Sequence, residues 1–332
     1  MPELRGGLLR LRDGGRPAPG AGREAERIIA FIREYARATR RDGAIIGLSG
    51  GIDSALAAEL CVRAFGPDRV HSLLLPERDS NPVSEEFGLK QARKLGITSE
   101  KIDITPVLEA LGTYDKRDAV VRAIFPDYVP AWKMKISLPP DLLHKDAYNV
   151  FTLSVTDDRG EVRTARLDKA SLNGIVAATN TKQRTRMVEL YLAAESRNYF
   201  VCGTTNRTEN LQGFFVKYGD GGVDIEPIAH LFKTQVFQLS AHLGVIEEII
   251  RRKPSPDTYS FTVSDEEFFY RMPIPTLDLL LYGWENKVPA DAVAAGMGLT
   301  EDQVKRAFRD FAAKFSGTEH VRQYPPTPPD AK

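Results

Sequence analysis

The run Ala44-Ile45-Ile46-Gly47-Leu48-Ser49-Gly50-Gly51-Ile52-Asp53-Ser54 passes from an apolar segment to a helical one through a pair of glycines. Ala44 to Leu48 is short and almost unbroken in its apolar character, as a strand buried on both faces requires. Ile52 to Phe65 reads as a helix apolar on most sides, ended by Gly66-Pro67. A helix that starts directly after such a strand offers unpaired amides and a partial positive charge of about half a unit. Gly50 and Gly51 let a phosphate approach the backbone with no Cβ in the way, Gly47 closes the strand, and Ser49 and Ser54 add hydroxyls. Asp53 would repel a phosphate by itself, so its place beside this loop predicts a divalent metal between the two anions. The loop therefore predicts a nucleotide phosphate bound with Mg²⁺.

Working outward, strand and helix patterns alternate. Glu24–Arg41 reads as a helix, Val70–Leu75 as a buried strand, Ser84-Glu85-Glu86 as the start of a helix stopping at Gly96, and Lys101–Ile104 as a third strand. The rhythm breaks over about 114–172, where Phe151-Leu153-Val155 and Val162-Thr164 flank Asp157-Asp158-Arg159-Gly160 as a β-hairpin with a four-residue turn. It resumes with a helix over Lys182–Arg197, a strand over Tyr199–Gly203, a Gly-rich segment (213–224), a helix over Phe232–Leu243 and another over Thr300–Phe315. This alternation predicts an α/β fold: an open, parallel five-stranded sheet with helices on both faces, Rossmann-like, carrying a hairpin-containing insertion. One domain over 23–320 is expected, between a Gly/Pro/Arg-rich tail at 1–22 and a Pro-rich tail at 321–332.

Composition limits the partners. The 332 residues carry 45 Lys+Arg and 45 Asp+Glu, which argues against a broad nucleic-acid surface. Hydrophobic residues at 42% and charged residues at 27% exclude bulk disorder. There is no apolar run long enough for a membrane span and no secretory signal pattern, and Cys61 and Cys202 sit in apolar stretches that suit a reduced, cytoplasmic protein.

Three other loop chemistries compete. A Walker loop needs Lys-Ser/Thr after its last glycine, and a dinucleotide fold needs Gly-x-Gly-x-x-Gly before a helix; neither is present. Gly47, Ser49 and Gly51 do satisfy the nucleophile elbow Gly-x-Ser-x-Gly, with His230, His242 or His320 available as a base. That serine-hydrolase reading leaves Asp53 and the downstream acidic and Gly-rich segments without a role. A nucleotide-binding protein without catalysis also satisfies the loop.

Ser49-Gly50-Gly51-Ile52-Asp53-Ser54 resembles the pyrophosphate loop of the ATP pyrophosphatases, whose fold is adenine nucleotide alpha hydrolase-like. Four later motifs narrow the resemblance. In order they are Lys182-Gln183-Arg184-Thr185-Arg186-Met187, Gly203-Thr204-Thr205-Asn206-Arg207-Thr208-Glu209, Gly213 to Asp224, and Phe232-Lys233-Thr234-Gln235-Val236. Together they resemble the synthetase domain of NAD synthetases over roughly residues 24–105 and 175–255.

The resemblance implies adenylylation of deamido-NAD by MgATP and displacement of AMP by ammonia. It implies that Glu209 shares a Mg²⁺ with Asp53, that Arg184, Lys217 and Lys233 meet phosphate oxygens, and that Thr204 contacts the nucleotide. It also sets Lys217, Asp220 and Asp224 against the substrate, with Asp224 able to help deprotonate ammonium. The catalytic set is then Asp53, Lys217, Asp224 and Lys233. Arg186 reads as a solvated or ion-paired charge, and Trp132, Trp284 and Phe268-Phe269-Tyr270 as packing.

Two departures bear on the acid being amidated. Pro254-Ser255-Pro256-Asp257-Thr258-Tyr259 and Ser264-Asp265-Glu266-Glu267 differ from the family's usual late loop, and the insertion replaces a much shorter connection. An adenylating amide ligase for another carboxylic acid is the alternative. The loop begins at Ser49, which leaves no room before it for a glutaminase domain, so free ammonia or a separate glutaminase is the expected nitrogen source. The resemblance further implies a homodimer.

Overall fold

The structure is a computed structural model describing residues 20–145 and 150–328. Helix α1 (Gly20–Thr39) leads into β1 (Gly43–Gly47), α2 (Ile52–Phe65) and β2 (Val70–Leu74), with α2 ending at Gly66 as its Gly-Pro punctuation predicts. The tail expected at 1–22 falls outside the described residues up to 19, and its last three residues already belong to α1. α3 (Pro82–Leu95) starts earlier than the Ser84 reading, because Asn81 caps it through the Val83 amide at 3.0 Å and Pro82 occupies the first turn. It stops at Gly96 in the left-handed region, φ 69°.

β3 (Thr98–Lys101) lies three residues before the strand expected at Lys101–Ile104. It is an edge strand with exposed polar side chains, so its pattern carries no apolar signal. Ile102 and Ile104 still donate to the carbonyls of Leu74 and Pro76, which prolongs the approach without a full ladder.

The insertion is richer than a hairpin. After α4 (Thr105–Ala110), which precedes the expected 114–172 segment, come α5 (Thr113–Ile124) and then a separate antiparallel sheet of β4 (Lys133–Ser137), β5 (Thr152–Thr156) and β6 (Val162–Arg166). The expected hairpin is β5–β6, and Asp157 Oδ1 accepts from the Arg159 and Glu161 amides at 3.0 and 2.8 Å to shape its turn. α6 (Lys169–Glu195) begins well before Lys182, capped by Asp168 on the Ser171 amide at 2.7 Å.

β7 (Tyr199–Val201) returns to the main sheet, giving the parallel order β3-β2-β1-β7. Among the described residues the sheet has four strands rather than the five expected. Beside β7 the chain makes one parallel bridge, Cys202 with Ile225, where a fifth strand would lie. Asp224 Oδ2 takes the Val201 amide at 2.7 Å in place of a backbone carbonyl, and Pro227 follows, so the ladder does not extend.

The remaining regular elements are helical: α7 (Arg207–Gln212), α8 (Lys233–Leu243), α9 (Glu247–Arg251), a π-helical turn (Glu266–Tyr270), α10 (Ile274–Glu285), α11 (Ala290–Met297), α12 (Glu301–Gly317) and α13 (Glu319–Arg322). α13 takes up the first residues of the expected C-terminal tail; 323–328 are irregular, and 329–332 lie outside the described residues. One core joins α1, α2 and α8 to one face of the sheet, and a second packs Ile45, Leu73 and Val201 against α4–α6. The C-terminal helices and the insertion sheet bury cores of their own, and both border the cleft at the strand ends. Among the described residues no helix is long and apolar enough to cross a membrane.

Candidate active site

The cleft opens at the C-terminal ends of the parallel strands, where crossover geometry gathers loops from successive βα units. Its volume is about 930 Å³, at the upper end of small-molecule sites. The phosphate loop forms its floor. Leu48 N–H still bonds Leu73 O at 2.9 Å, and the chain then turns into α2 within three residues. Gly50 has φ 70°, and a Cβ there would sit 2.1 Å from Ser84 O, so this position admits glycine alone. The Ser49 and Ser54 hydroxyls lie 3.0 Å apart, and Ser54 Oγ also accepts the Ser49 amide at 3.2 Å. No side chain caps α2, so its positive end faces the cleft.

Three helix starts converge beside this loop. Asp53 lies in the first turn of α2. Glu209 lies in the first turn of α7, where it forms a capping box with Asn206. Lys233 opens α8. Lys233 Nζ sits 2.5 Å from Asp53 Oδ2 and 3.2 Å from Glu209 Oε1, while Asn206 Nδ2 donates to Asp53 Oδ1 at 3.0 Å. Lys233 is 2% exposed, so its charge is held by these carboxylates rather than by bulk water. Burial pushes the Glu209 carboxyl up to about 8, with Lys233 opposing and Asp53 adding to the rise. Behind the group, Asp278 accepts from Thr208 Oγ1 at 2.6 Å and from the Thr234 amide at 2.7 Å, which fixes the starts of α7 and α8 together.

Basic and aromatic side chains supply the walls. Arg252 donates to Gly50 O at 3.3 Å and to Ser84 Oγ at 2.8 Å; Ser84 Oγ in turn donates to Asp257 Oδ2 at 2.7 Å. Asp257 Oδ1 accepts the Asn81 amide at 3.0 Å, so the late loop is fastened to the start of α3. Lys182 reaches the same loop from α6: its Nζ donates to Glu77 Oε1 at 2.9 Å, Asp79 Oδ2 at 2.8 Å and Thr258 O at 2.8 Å. Arg117 of α5 also pairs with Asp79, so this buried network ties the insertion to the cleft. Phe214, Phe268 and Phe269 line the opposite side.

Of the residues singled out from sequence, Gly47, Ser49, Gly51, Asp53, Ser54, Thr204, Glu209, Asp220 and Lys233 line the cleft, with Gly50 packed behind its loop. Asp220 turns its Oδ1 to the Val216 amide at 2.6 Å. Three are elsewhere. Lys217 Nζ donates to His320 O and Gln323 O at 2.8 and 3.1 Å. Arg184 is exposed and donates to Lys217 O at 3.3 Å. Asp224 is exposed at the sheet edge, accepting from Val201 N and, at 3.2 Å, from Tyr191 OH.

Residues the sequence left aside also border the site. Arg186, read as a solvated charge, is half-buried in the cleft wall and donates to Leu75 O at 3.0 Å. Arg252 lies in no quoted motif, and Lys182 and Asp265, though inside quoted segments, have no role at the site assigned from sequence. No histidine lines the cleft among the described residues, and Ser49 Oγ meets Ser54 and Gly51 instead of a base. The nucleophile-elbow reading therefore lacks its partner.

Among the described residues no three or more acidic, His or Cys side chains form a metal cage. Asp53 and Glu209 nevertheless converge on one cation, the Lys233 ammonium. A pair of hard oxygen donors suits Mg²⁺, which takes its remaining ligands from phosphate and water.

The sequence model of the NAD synthase family matches residues 24–124 and 146–325. A protein of Rhizobium meliloti (strain 1021) called NH(3)-dependent NAD(+) synthetase is 45% identical over 302 residues, covering 91% of this chain and 90% of its own. One of the same name from Thermotoga maritima is 41% identical over 233 residues, covering 70% and 77%. Among solved structures, the NH3-dependent NAD synthetase of Campylobacter jejuni superposes with a TM-score of 0.62 at 21% identity, over 94% of this chain and all of its own. The NMN synthetase of Francisella tularensis superposes at 0.64 and 23% identity, over 94% and 99%. These last two speak for the fold. From its family match and its relatives, this chain belongs to the NAD synthase family of carbon–nitrogen ligases.

Proposed function

We propose that this chain makes NAD from deamido-NAD, ATP and ammonia, releasing AMP and pyrophosphate. The observation that carries the reading is the meeting of Asp53, Glu209 and Lys233 at the mouth of an uncapped helix beside the phosphate loop. A carboxylate is a poor acyl electrophile. Its oxygen attacks the α-phosphorus of ATP, the bond to pyrophosphate breaks, and an acyl adenylate forms; ammonia then adds at the carbonyl carbon, its nitrogen gives up a proton to solvent, and AMP leaves with the electron pair of the C–O bond. Most of the catalytic work is to hold two polyanions together and to stabilise charge on the leaving phosphates.

The chain's groups divide that work. The start of α2 and the Ser49 and Ser54 hydroxyls receive phosphate oxygens, Lys233 supplies positive charge to them, and Arg252 keeps the loop in shape through Gly50 O. Asp53 and Glu209 would hold a Mg²⁺, which when bound neutralises phosphate charge. Thr204 at the end of β7 contacts the nucleotide. Lys217 and Arg184 reach phosphate or substrate only after Lys217 leaves the carbonyls of His320 and Gln323.

Incubation with deamido-NAD, ATP, Mg²⁺ and ammonium is expected to yield NAD, AMP and pyrophosphate in equal amounts. Pyrophosphate release with a different carboxylic acid and none with deamido-NAD would overturn the choice of substrate. Glutamine in place of ammonium is expected to give no NAD unless a separate glutaminase is added. A homodimer and a cytoplasmic site complete the proposal. The exposed Val188 and Leu192, one turn apart on α6, and two free thiols support them, and light scattering tests the first.

A further inference from the structure

Beyond β7 the chain turns into α7, and on the side where a fifth strand would lie it offers the amides of Val201, Gly203 and Thr205, because alternate residues of a parallel strand face the same neighbour. Gly203 N–H donates to a backbone carbonyl, Ile225 O, at 2.8 Å. The other two end on carboxyl groups two residues apart in the chain: Val201 N–H on Asp224 Oδ2 at 2.7 Å, and Thr205 N–H on Glu226 Oε2 at 3.0 Å. Asp224 is exposed at the sheet edge, whereas Glu226 is half-buried. A Cβ on Gly203 would lie 2.5 Å from both Cδ and Oε2 of Glu226, so glycine at this position makes the room in which the carboxyl stands.

The turn fastened in this way forms part of the cleft. Gly203, Thr204 and Thr205 line it, and Asn206 caps α7 and donates to Asp53 Oδ1 at 3.0 Å. Thr204 lies between two pinned amides, and among the described residues its own hydroxyl has no hydrogen-bond partner. A charged carboxylate beside a nucleotide site would repel the phosphates that the site receives. Burial pushes the Glu226 carboxyl up to about 8, against its hydrogen bonds to Thr205 and with Asp220 adding to the rise. At neutral pH it therefore mostly keeps its proton, and it accepts the Thr205 amide without placing a full negative charge behind the turn.

We propose that Glu226 is a positioning residue for nucleotide binding: through the Thr205 amide it holds the turn 203–206 so that the Thr204 hydroxyl meets ATP. The inference rests on the contact between Thr204 and the nucleotide in the function proposed above. The property that matters is an acceptor oxygen at the reach of a glutamate side chain, and its charge contributes little.

Steady-state NAD formation by variants of the full chain separates reach from charge. Glu226→Ala removes the oxygen and is expected to raise the KM for ATP about tenfold, while kcat and the KM for deamido-NAD change by less than about threefold. Glu226→Gln keeps an uncharged oxygen at the same reach and is expected to bring the KM for ATP back to within about twofold of the parent. Glu226→Asp keeps the acid but draws its oxygens back by one carbon, so it is expected to match the Ala variant, and it supplies the readout if that variant does not fold. A Gln variant as impaired as the Ala or Asp variant, or an Ala variant whose two KM values rise together, overturns the assignment. Thr204→Val tests the contact beneath it and is expected to raise the KM for ATP by a similar factor. An unchanged KM in Thr204→Val refutes that nucleotide contact and this inference with it. A raised KM there, beside unchanged values in the Ala and Asp variants, removes the role of Glu226 alone.

Discussion

Replacing Glu209 with glutamine tests whether its charge, rather than its shape, governs the site. Burial lifts this carboxyl from 4.5 to about 8, against Lys233 and with Asp53 adding to the rise. Over that window the folded chain keeps a proton that the unfolded chain has released. The group is therefore neutral in its effect below about 4.5, becomes increasingly unfavourable as pH rises, and reaches its full penalty above about 8. The penalty therefore grows as pH rises through this window, by at most ~1.4 kcal/mol per pH step. Glutamine keeps the side-chain length and an oxygen for the Asn206 amide, which Glu209 Oε2 now accepts at 3.1 Å, but it carries no charge to desolvate.

Glu209→Gln is therefore expected to be more stable than the parent at pH 8 in chelator, and about equal to it near pH 5. Its turnover should fall by about 3–4 kcal/mol of transition-state stabilisation, several hundredfold. Added Mg²⁺ should stabilise the parent by mass action and leave the variant nearly unmoved. Urea denaturation across pH 5–8, with and without Mg²⁺, and NAD formation measure these effects. A variant less stable than the parent at pH 8, or one that responds equally to Mg²⁺, refutes both the electrostatic reading and the metal assignment.

Gly50→Ala places a methyl 2.1 Å from Ser84 O at φ 70°, and is expected to cost ~2–3 kcal/mol in denaturation while raising the KM for ATP. Lys182→Met leaves Glu77 and Asp79 buried without their shared cation; a loss of ~3–5 kcal/mol in a urea melt is expected, larger than for any exposed lysine. Asp257→Ala releases the late loop from Asn81 and Ser84, and should raise the KM for ATP more than it lowers kcat, at ~1–3 kcal/mol of stability.

The parts of the fold legible in the sequence are those in which local pattern and burial agree. β1, β2 and α2 are buried over most of their length, so their apolar runs and the Gly66-Pro67 stop define them. β3 is a polar edge whose apolar neighbours lie outside its bounds, Ile97 before it and Ile102 and Ile104 after it. The opening turns of α6 contain Gly174, a weak helix former. A Cβ there would meet Val120 at 2.9 Å, so glycine serves the close approach of α5 to α6 at the expense of local propensity. The fifth strand gives way to a single side chain, Asp224, which takes a ladder position no periodicity could assign.

The site divides along the same line. Asp53, Thr204, Glu209 and Lys233 each sit at a strand end or helix start, and in an open parallel sheet those ends face one crevice, so their meeting follows from topology. Lys217, Arg184 and Asp224 lie in motif segments too, but their side chains satisfy backbone groups of the C-terminal segment, the Gly-rich loop and the sheet edge. Arg252 acts on a loop 202 positions earlier, a contact that only the folded chain creates. Asp265-Glu266-Glu267 shows why the remainder stays hidden. As a sequence, three acids in a row look like a solvated face, and Glu267, at 44% side-chain exposure, fits that description. The π-helical turn rotates Asp265 inward to 4% exposure, so one of three chemically similar residues acquires an unmatched buried oxygen. Burial differences of this kind arise from tertiary packing, which no local pattern of charge encodes.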